Sequence, residues 1–516
     1  MSTNSRLKKS LKNAKVGALF FLFNLILQFL FRKILLEKLG IEVLGLNTTA
    51  LNLLQFLNLA ELGIGASVGY SLYKPLSNKD FTYVTEIISL QGYLYKRIGL
   101  IVLIAGIILS LFFPFIFSNM HLPLWYAYST FGVLFLSALV GYFFNFHQIL
   151  LVSDQKEFTL NYVSQGVKLF KLLLQILSIY YFNNGYIWWL FWELFALLAT
   201  SYGINHLLKK EYPWLILNKS NGKVLLAKYP EIVFKTKQLI THKFAGFTLN
   251  ETTPLIIFSF SNLTFIATYG NYVLIIAGVS GLLGAIFNSM NASIGNLVSE
   301  VNNTKVKVVF EELFTMRFYL AVVLCYCTYK LIPFLIIFWM GNQYLLDQST
   351  LLLLVLLMFI NLTRLTVDSF INAYGLFSDI AAPIIELVTN VTASILLGYF
   401  FGINGVLIGS ILSLIFVVLL WKPHFLFSNG MKIKSKTYFS MYIKQFLVSV
   451  FVVFICEYAL KIISIDPTIS LVNFLIYSFL VFMAVSLLLL LMYLCFVDGM
   501  KLLIVRFKIQ LNINGR

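Results

Sequence analysis

The feature that most limits what this chain can fold into is a series of long apolar runs separated by short polar connections. A helix needs about 20 mostly apolar residues to cross the hydrocarbon core of a bilayer. Fourteen such runs can be counted, so the sequence predicts an all-α polytopic membrane protein with about 14 transmembrane helices. Gly402 alone separates the eleventh run from the twelfth. The runs lie near residues 16–31, 44–72, 92–117, 124–151, 159–182, 185–207, 239–262, 270–297, 314–340, 349–373, 378–401, 403–421, 442–465 and 469–497.

The composition agrees with this prediction. Of the 516 residues 59% are hydrophobic and only 11% are charged, whereas a soluble domain carries about 25% charged residues. A formal net charge of +17 suits a nucleic-acid partner, but here the cations fall between the apolar runs instead of on one folded surface. We therefore expect the lipid bilayer, and no nucleic acid, as a partner.

Lysine and arginine follow an alternating pattern that predicts the orientation of the chain. Cytoplasmic connections of membrane proteins are enriched in these residues. The even-numbered connections are basic, with Arg317 assigned to the eighth and Lys422 to the twelfth, whereas the third, fifth, seventh and ninth contain no Lys or Arg. Arg32, Lys33 and Lys38 in the first outer connection are the exception. The pattern predicts that both termini are cytoplasmic and that the first apolar run is a retained helix.

Three short motif pairs indicate an internal repeat. Each pair joins run n to run n+6, and because six is even, the two halves share one orientation, related by an axis along the membrane normal. We predict six-helix lobes at 1–207 and 239–425, a cytoplasmic basic linker at 208–238, and two extra helices within 442–498. The pairs are Gly65–Gly69 with Asn291–Gly295, Pro114–Phe117 with Pro333–Ile336, and Ser153-Asp154 with Ser378-Asp379.

Several ionisable side chains fall inside the predicted helices, where each costs at least about 2.5–3.5 kcal/mol to insert. Such groups normally face the bundle interior or a water-filled cavity. Lys168 and Lys171 lie on one face of the fifth helix, and Arg364 and Asp368 of the tenth are spaced to form an ion pair. The functional interpretation is a cavity whose cations bind an anionic substrate. The structural alternatives are lysines that extend towards the cytoplasm and an ion pair that locks two helices.

Amide side chains form a polar stripe along the second helix. Asn52 and Gln55 are three residues apart, and Asn47 and Asn58 extend the polar character of the same run. A stripe of this kind either joins neighbouring helices or lines a hydrophilic lumen. The predicted substrate-binding residues are therefore Lys168, Lys171, Arg364, Asn47, Asn52 and Gln55. The predicted coupling or gating residues are Asp368, Glu251 and Glu61, although Glu61 has a packing role as its alternative.

The sequence contains no motif of a cofactor-dependent enzyme. It has no G-x-x-x-x-G-K-[ST] loop for nucleotide phosphates. Cys325 and Cys327 form a C-x-C, but no second Cys or His pair stands at metal-ligand spacing. No outer loop exceeds roughly a dozen residues, whereas a polymerase or glycosyltransferase acting on the outer face would need a larger one. We therefore expect no cofactor, no metal and no catalytic residues, with a membrane glycosyltransferase as the alternative from a different class.

Two stretches resemble bacterial polysaccharide flippases of the Wzx type. The first is Leu39-Gly40, Leu44–Asn47 and Leu54–Gly65, and the second is Leu150–Glu157 after the fourth helix. These flippases form the polysaccharide transport family within the multidrug/oligosaccharidyl-lipid/polysaccharide exporter superfamily. The resemblance implies a V-shaped pair of six-helix lobes around a central cavity, plus two helices.

The same resemblance implies a function. The expected substrate is an undecaprenyl-pyrophosphate-linked oligosaccharide, such as a repeat unit of O-antigen, capsule or exopolysaccharide, moved across the bacterial inner membrane by alternating access. Polysaccharide assembly proteins are the expected protein partners. A multidrug/cation antiporter and a peptidoglycan-precursor flippase of the same fold stay open as alternatives.

Overall fold

The computed structural model describes residues 3–58, 64–217, 222–232, 234, 252–288, 290–300, 302–376, 379, 381–462 and 465–514. Within these residues the regular structure is entirely helical. The helices are α1 (Thr3–Leu39), α2 (Ile41–Leu57), α3 (Ile64–Asn78), α4 (Phe81–Leu111), α5 (Phe113–Ile116), α6 (Trp125–Phe143), α7 (Ile149–Ser153), α8 (Glu157–Tyr181), α9 (Gly185–Glu211), α10 (Gly222–Lys228), α11 (252–259), α12 (Leu263–Asn288), α13 (Asn291–Ser299), α14 (Asn303–Trp339), α15 (Gln348–Tyr374), α16 (Ala381–Leu414), α17 (Lys422–Phe425), α18 (Lys436–Leu460), α19 (Leu471–Phe496) and α20 (Asp498–Asn514). A π-helix at Ile415–Trp421 joins α16 to α17.

The predicted fold class, an all-α bundle with about 14 spans, is confirmed. Among the described residues, ten helical segments are long and apolar enough to cross a membrane by length and composition. The longest, Ala381–Gly430, contains Gly402 with non-helical φ and ψ of 58° and −139°, so it comprises two of the predicted spans. Helix α2 is not among the ten because it has only 17 residues, and α8 is not among them because it contains several polar residues. Both helices nevertheless match predicted runs.

Several helices begin at a side chain that caps the first turn. A capping oxygen accepts a hydrogen bond from a free backbone N–H, which stabilises a helix start by about 1 kcal/mol. Asp80 accepts from Tyr83 N at the start of α4, and Asp347 accepts from Thr350 N at the start of α15. Asp347 stands just before the predicted run at 349–373, so the sequence marks the start of α15 well. The start of α4 at Phe81 lies eleven residues before the predicted run at 92–117.

The chain divides into two compact units, unit 1 (Met1–Gly270) and unit 2 (Asn271–Arg516). In unit 1, α8 packs between α1 and α9, and α6 packs against α2 and α4. In unit 2, α14 packs against α15 and α19, and α15 also packs against α16. The predicted lobe boundaries were placed from the repeat and not from packing, and they stay a prediction.

The turn at Gly402 is built on glycines. Gly402 has a left-handed φ of 58°, which favours glycine, and two further glycines bring the two arms of α16 into backbone contact. A Cβ on Gly405 would lie 1.9 Å from Leu397 O, and one on Gly409 would lie 2.4 Å from Ser394 N. The Ser394 hydroxyl donates to Val406 O at 3.0 Å across the same contact. The close approach explains why so short a break separates two spans.

Three basic residues predicted for the first outer connection lie inside α1, which continues two turns beyond its apolar run. Arg32 Nη2 donates to Ala267 O at 3.3 Å within unit 1. Lys38 lies 4.6 Å above the ring of Tyr180 in α8. Lys33 Nζ lies 3.9 Å from Glu37 Oε1 on α1 itself. The exception to the charge pattern is therefore not a basic loop, and two of its three cations contact other helices.

Candidate functional site

One face of α8 is polar along its length. Asn161, Gln165, Lys168, Lys171 and Gln175 are spaced at three or four residues, which places them on the same side of the helix. Lys168 stands 11 residues after the start of α8, about 16 Å along the helix axis. The sequence prediction singled out the two lysines but not the amides around them.

Lys171 is held in a buried ion pair. Its Nζ lies 2.7 Å from Glu193 Oε1 on α9, with the two side chains 16% and 13% exposed. Gln175 Nε2 donates to the same carboxylate oxygen and to Trp189 O, at 3.1 Å each. Burial of a charge is compensated only by such pairing and hydrogen bonding, so Lys171 has a structural partner that the sequence prediction missed.

Lys168 differs from Lys171, although they share one face. The Lys168 side chain is exposed, and among the described residues it has no ion pair or hydrogen bond. One turn before it, Asn24 Nδ2 of α1 donates to Gln165 Oε1 at 3.0 Å. The α8 site therefore holds two lysines and one carboxylate, Glu193, with Lys168 available to a ligand.

The predicted amide stripe lies on α2. Asn47 and Asn52 are half-buried and Gln55 is exposed, and their side chains make no hydrogen bond within the described part of unit 1. Asn58, just after α2, accepts a 2.9 Å hydrogen bond from the Tyr142 hydroxyl. Only this last amide joins helices, so the first three have free amide groups for a hydrophilic surface.

In unit 2 the predicted pair is part of a larger cluster. Arg364 Nε lies 2.9 Å from Asp368 Oδ2, as the spacing predicted. The Glu386 side chain is only 3% exposed, and its oxygens lie 4.0 Å from Arg364 Nη1 and 3.9 Å from Lys422 Nζ. Lys422 Nζ is also 3.6 Å from Asp368 Oδ1. Two carboxylates and two cations thus share one site on α15, α16 and α17.

Arg317 adds a further cation to this region of unit 2. It is 3% exposed and lies inside α14, where its Nη1 donates to Ser369 Oγ at 3.2 Å. Its guanidinium lies 4.5 Å from the centroid of Phe287. The predicted place of Arg317 in the eighth connection is wrong, because Arg317 falls within the ninth apolar run, 314–340, and inside α14. With Arg317 included, this region of unit 2 has three cations and two carboxylates, an excess of one cation, as in the α8 site.

Two predicted coupling residues, Glu61 and Glu251, lie outside the described residues. The sequence contains only a weak signal for Glu193, which the sequence prediction missed. Glu193 was identifiable only as a lone carboxylate in an apolar helix, and nothing in its spacing links it to Lys171. Within the described residues, no group of three or more His, Cys, Asp or Glu side chains is placed to hold a metal ion.

No protein-family model and no curated protein matches this chain. Its fold does match solved structures of transporters. The lipid II flippase MurJ in an inward closed conformation aligns with a TM-score of 0.61 and 15% identity over 91% of this chain and 97% of that one. An inward-facing multidrug resistance MATE family transporter of the MOP superfamily aligns at 0.59 and 14% identity, over 77% and 93%. A point mutant of the Vibrio cholerae MATE transporter VcmN aligns at 0.51 and 15% identity, over 83% and 99%.

Identities this low establish the fold and no more. The chain is a multi-pass membrane protein with the fold shared by MATE transporters of the MOP superfamily and the flippase MurJ. These neighbours are transporters and not enzymes. The fold of these structures agrees with the fold that the resemblance implies.

Proposed function

We propose that this protein is a flippase that moves a lipid-linked oligosaccharide with a pyrophosphate headgroup, of the undecaprenyl type, across the bacterial inner membrane by alternating access. The observation that carries the proposal is the excess of cations over carboxylates at both charged sites in the described helices, and above all Lys168, which has no partner there. Cations within the helices replace part of the hydration that a pyrophosphate loses in the membrane.

Two alternatives have specific support. The match to the lipid II flippase MurJ covers most of both chains and favours a lipid-linked peptidoglycan precursor about equally. The match to MATE transporters supports a multidrug antiporter, but a cationic drug is better served by an excess of carboxylates than by an excess of Lys and Arg. The proposal also includes polysaccharide assembly proteins as partners and a cytoplasmic position for both termini.

Reconstitution in liposomes tests the function. Wild-type protein should transfer a fluorescent undecaprenyl-pyrophosphate-linked oligosaccharide between leaflets, measured as the fraction accessible to an external quencher. Fluorescent lipid II and a cationic dye, assayed in parallel, separate the two alternatives. Transfer of the cationic dye alone would overturn the proposal, and sugar transfer activity would place the chain among the glycosyltransferases.

Lys168 provides the variant for this assay. Lys168→Ala should abolish transfer with an unchanged protein level, because no described contact of the fold depends on its side chain. Lys168→Arg should retain transfer, since it keeps the charge. Lys461→Ala, at an exposed lysine after α18, is the control. Normal transfer by Lys168→Ala would remove Lys168 from the site.

A further inference from the structure

Unit 1 contains a cavity of about 360 Å³ whose lining includes Leu160 near the start of α8, but neither Lys168 nor Lys171. Its polar lining consists of Asn58 after α2, Gln91 on α4, Ser137 on α6 and Gln148 just before α7. No Asp, Glu, Lys or Arg is among its described lining residues. The volume lies at the lower end of the range of about 300–1,000 Å³ for small-molecule sites, so the cavity suits a small uncharged ligand.

Aromatic rings form part of the wall. Tyr95 lines the cavity beside Tyr142 and Phe146, with ring centroids 5.9 Å and 6.4 Å from its own. The Tyr142 hydroxyl is fixed by its hydrogen bond to Asn58 Oδ1. The rings are thereby held as a rigid apolar surface next to polar groups.

The hydrogen-bonding groups of the lining are only partly used. Gln91 is 1% exposed, and its Nε2 donates to Phe146 O at 3.1 Å, while its buried Oε1 has no hydrogen-bond partner among the described residues. Ser137 and Gln148 make no side-chain hydrogen bond within the same described residues. An unsatisfied buried atom such as Gln91 Oε1 costs about 1–3 kcal/mol. Ser137 is exposed and Gln148 is half-buried, so their side chains can pair with a ligand rich in hydroxyl groups.

We propose that this cavity binds an uncharged sugar ring of the transported headgroup. A pyranose presents apolar C–H faces to aromatic rings and hydroxyl groups to amides, which both donate and accept hydrogen bonds. A phosphate finds no cation in the lining, and an apolar drug leaves the amides unpaired. The inference rests on the proposed function, and it divides recognition between the cations that bind pyrophosphate and a neutral cavity that binds sugar.

Glycine substitutions on α6 test the site with a matched control. Gly141 lines the cavity, and a Cβ there meets no atom within 4 Å, so Gly141→Leu places a side chain in the cavity without a backbone clash. Gly132, nine residues earlier on the same helix, is equally open but does not line the cavity. Gly132→Leu therefore matches the gain in helix propensity and leaves the site intact.

The readout is binding of free uncharged methyl glycosides of glucose, galactose and N-acetylglucosamine to the purified full chain, by saturation-transfer NMR. We expect binding to wild type and to Gly132→Leu, and at least about tenfold weaker binding to Gly141→Leu. Gln148→Leu, which preserves volume, should weaken binding also and replaces Gly141→Leu if that variant does not fold. Equal binding by the folded variants, or none by wild type, overturns the inference.

The liposome assay separates this inference from the proposed function. Wild-type transfer of the lipid-linked oligosaccharide that persists unchanged in Gly141→Leu leaves the function standing and removes the sugar site. Site-dependent sugar binding without any transfer by wild type supports the cavity but overturns the transported substrate. If Gly141→Leu loses both binding and transfer while Gly132→Leu keeps both, the result supports the sugar site and the proposed function together.

Discussion

The Tyr212 hydroxyl donates a 2.9 Å hydrogen bond to Asp154 Oδ2, which ties the end of α9 to the turn after α7. An equivalent contact occurs in unit 2, where Trp421 Nε1 donates to Asp379 Oδ2 at 2.7 Å. Both aspartates belong to the Ser-Asp motifs that define the predicted repeat. Tyr212 stands five residues after the sixth predicted run, 185–207, and Trp421 is the last residue of the twelfth, 403–421. A pair of like contacts at like positions agrees with a parallel repeat.

Removal of the Tyr212 hydroxyl should destabilise unit 1. Tyr212→Phe deletes a hydrogen bond to a carboxylate, and we expect the free energy of unfolding to fall by about 1–2 kcal/mol. The loss is limited because Lys156 Nζ still lies 2.9 Å from Asp154 Oδ2. Thermal unfolding in detergent measures the effect. Tyr202→Phe, at a 74% exposed position on α9, is the control, and equal stability of the two variants would contradict the prediction.

The same contact should make stability depend on alkaline pH. Burial, followed by the charge of Asp154, raises the pKa of Tyr212 above its ordinary value of about 10. A raised folded-state pKa gives stabilisation that is complete below about pH 10 and is lost as the pH rises towards the folded-state value. Unfolding midpoints between about pH 8 and about pH 11 should therefore fall more steeply for wild type than for Tyr212→Phe. Parallel curves would show that Tyr212 is not the titrating group.

The glycine contact inside α16 predicts a sharp steric effect. Gly409→Ala puts a Cβ 2.4 Å from Ser394 N, and backbone atoms cannot move aside as a flexible side chain can. We expect a loss of more than about 3 kcal/mol, or failure to fold, since overpacking alone costs about 1–3 kcal/mol. Gly284→Ala, in α12 with no atom within 4 Å, should be neutral or slightly stabilising. Yield of monodisperse protein and unfolding midpoints compare the two, and similar values would contradict the packing.

The fold could be predicted because hydrophobic length acts locally. Each apolar run carries its own signal for a span, and Gly402 marked a helix break on its own. The helix ends were less accurate where polar residues continue a helix beyond its apolar run. The start of α14 at Asn303 and the end of α1 at Leu39 are examples, and both moved cations from predicted connections into helices.

The site was predicted only where partners are neighbours in sequence. Arg364 and Asp368 are one helical turn apart, so their pairing follows from spacing. The contacts of Lys171 with Glu193, and of Lys422 with Glu386, depend on how helices pack, which the periodicity of one helix does not encode. Sequence therefore placed Lys168, Lys171 and Arg364 inside helices, but it missed the burial of Arg317 and Lys422. It also did not show that Lys168 is left without a carboxylate.

The Lys171–Glu193 pair should be structural. Lys171→Met leaves the Glu193 carboxylate buried with Gln175 as its remaining hydrogen-bond donor, and breaking a buried pair in this way should cost about 3 kcal/mol. The double variant Lys171→Met/Glu193→Leu removes both charges and should regain most of that stability. The free energies of unfolding of the wild type, both single variants and the double variant together give the interaction free energy between Lys171 and Glu193. Additive losses would show that the two side chains do not interact.

Variants of the charged cluster in unit 2 can distinguish a structural role of Arg364 from a functional one. Arg364→Ala should abolish surface polysaccharide in the producing cell, but it also leaves Asp368 and Glu386 to share Lys422. The double variant Arg364→Ala/Asp368→Ala restores the balance of charge, so it should regain stability. If Arg364 contacts the anionic headgroup, the double variant stays inactive in liposome transfer although it is folded. Recovery of transfer by the double variant would instead assign Arg364 and Asp368 to a structural pair. In that case Asp368→Asn alone, which leaves Arg364 in place, should retain near-normal transfer.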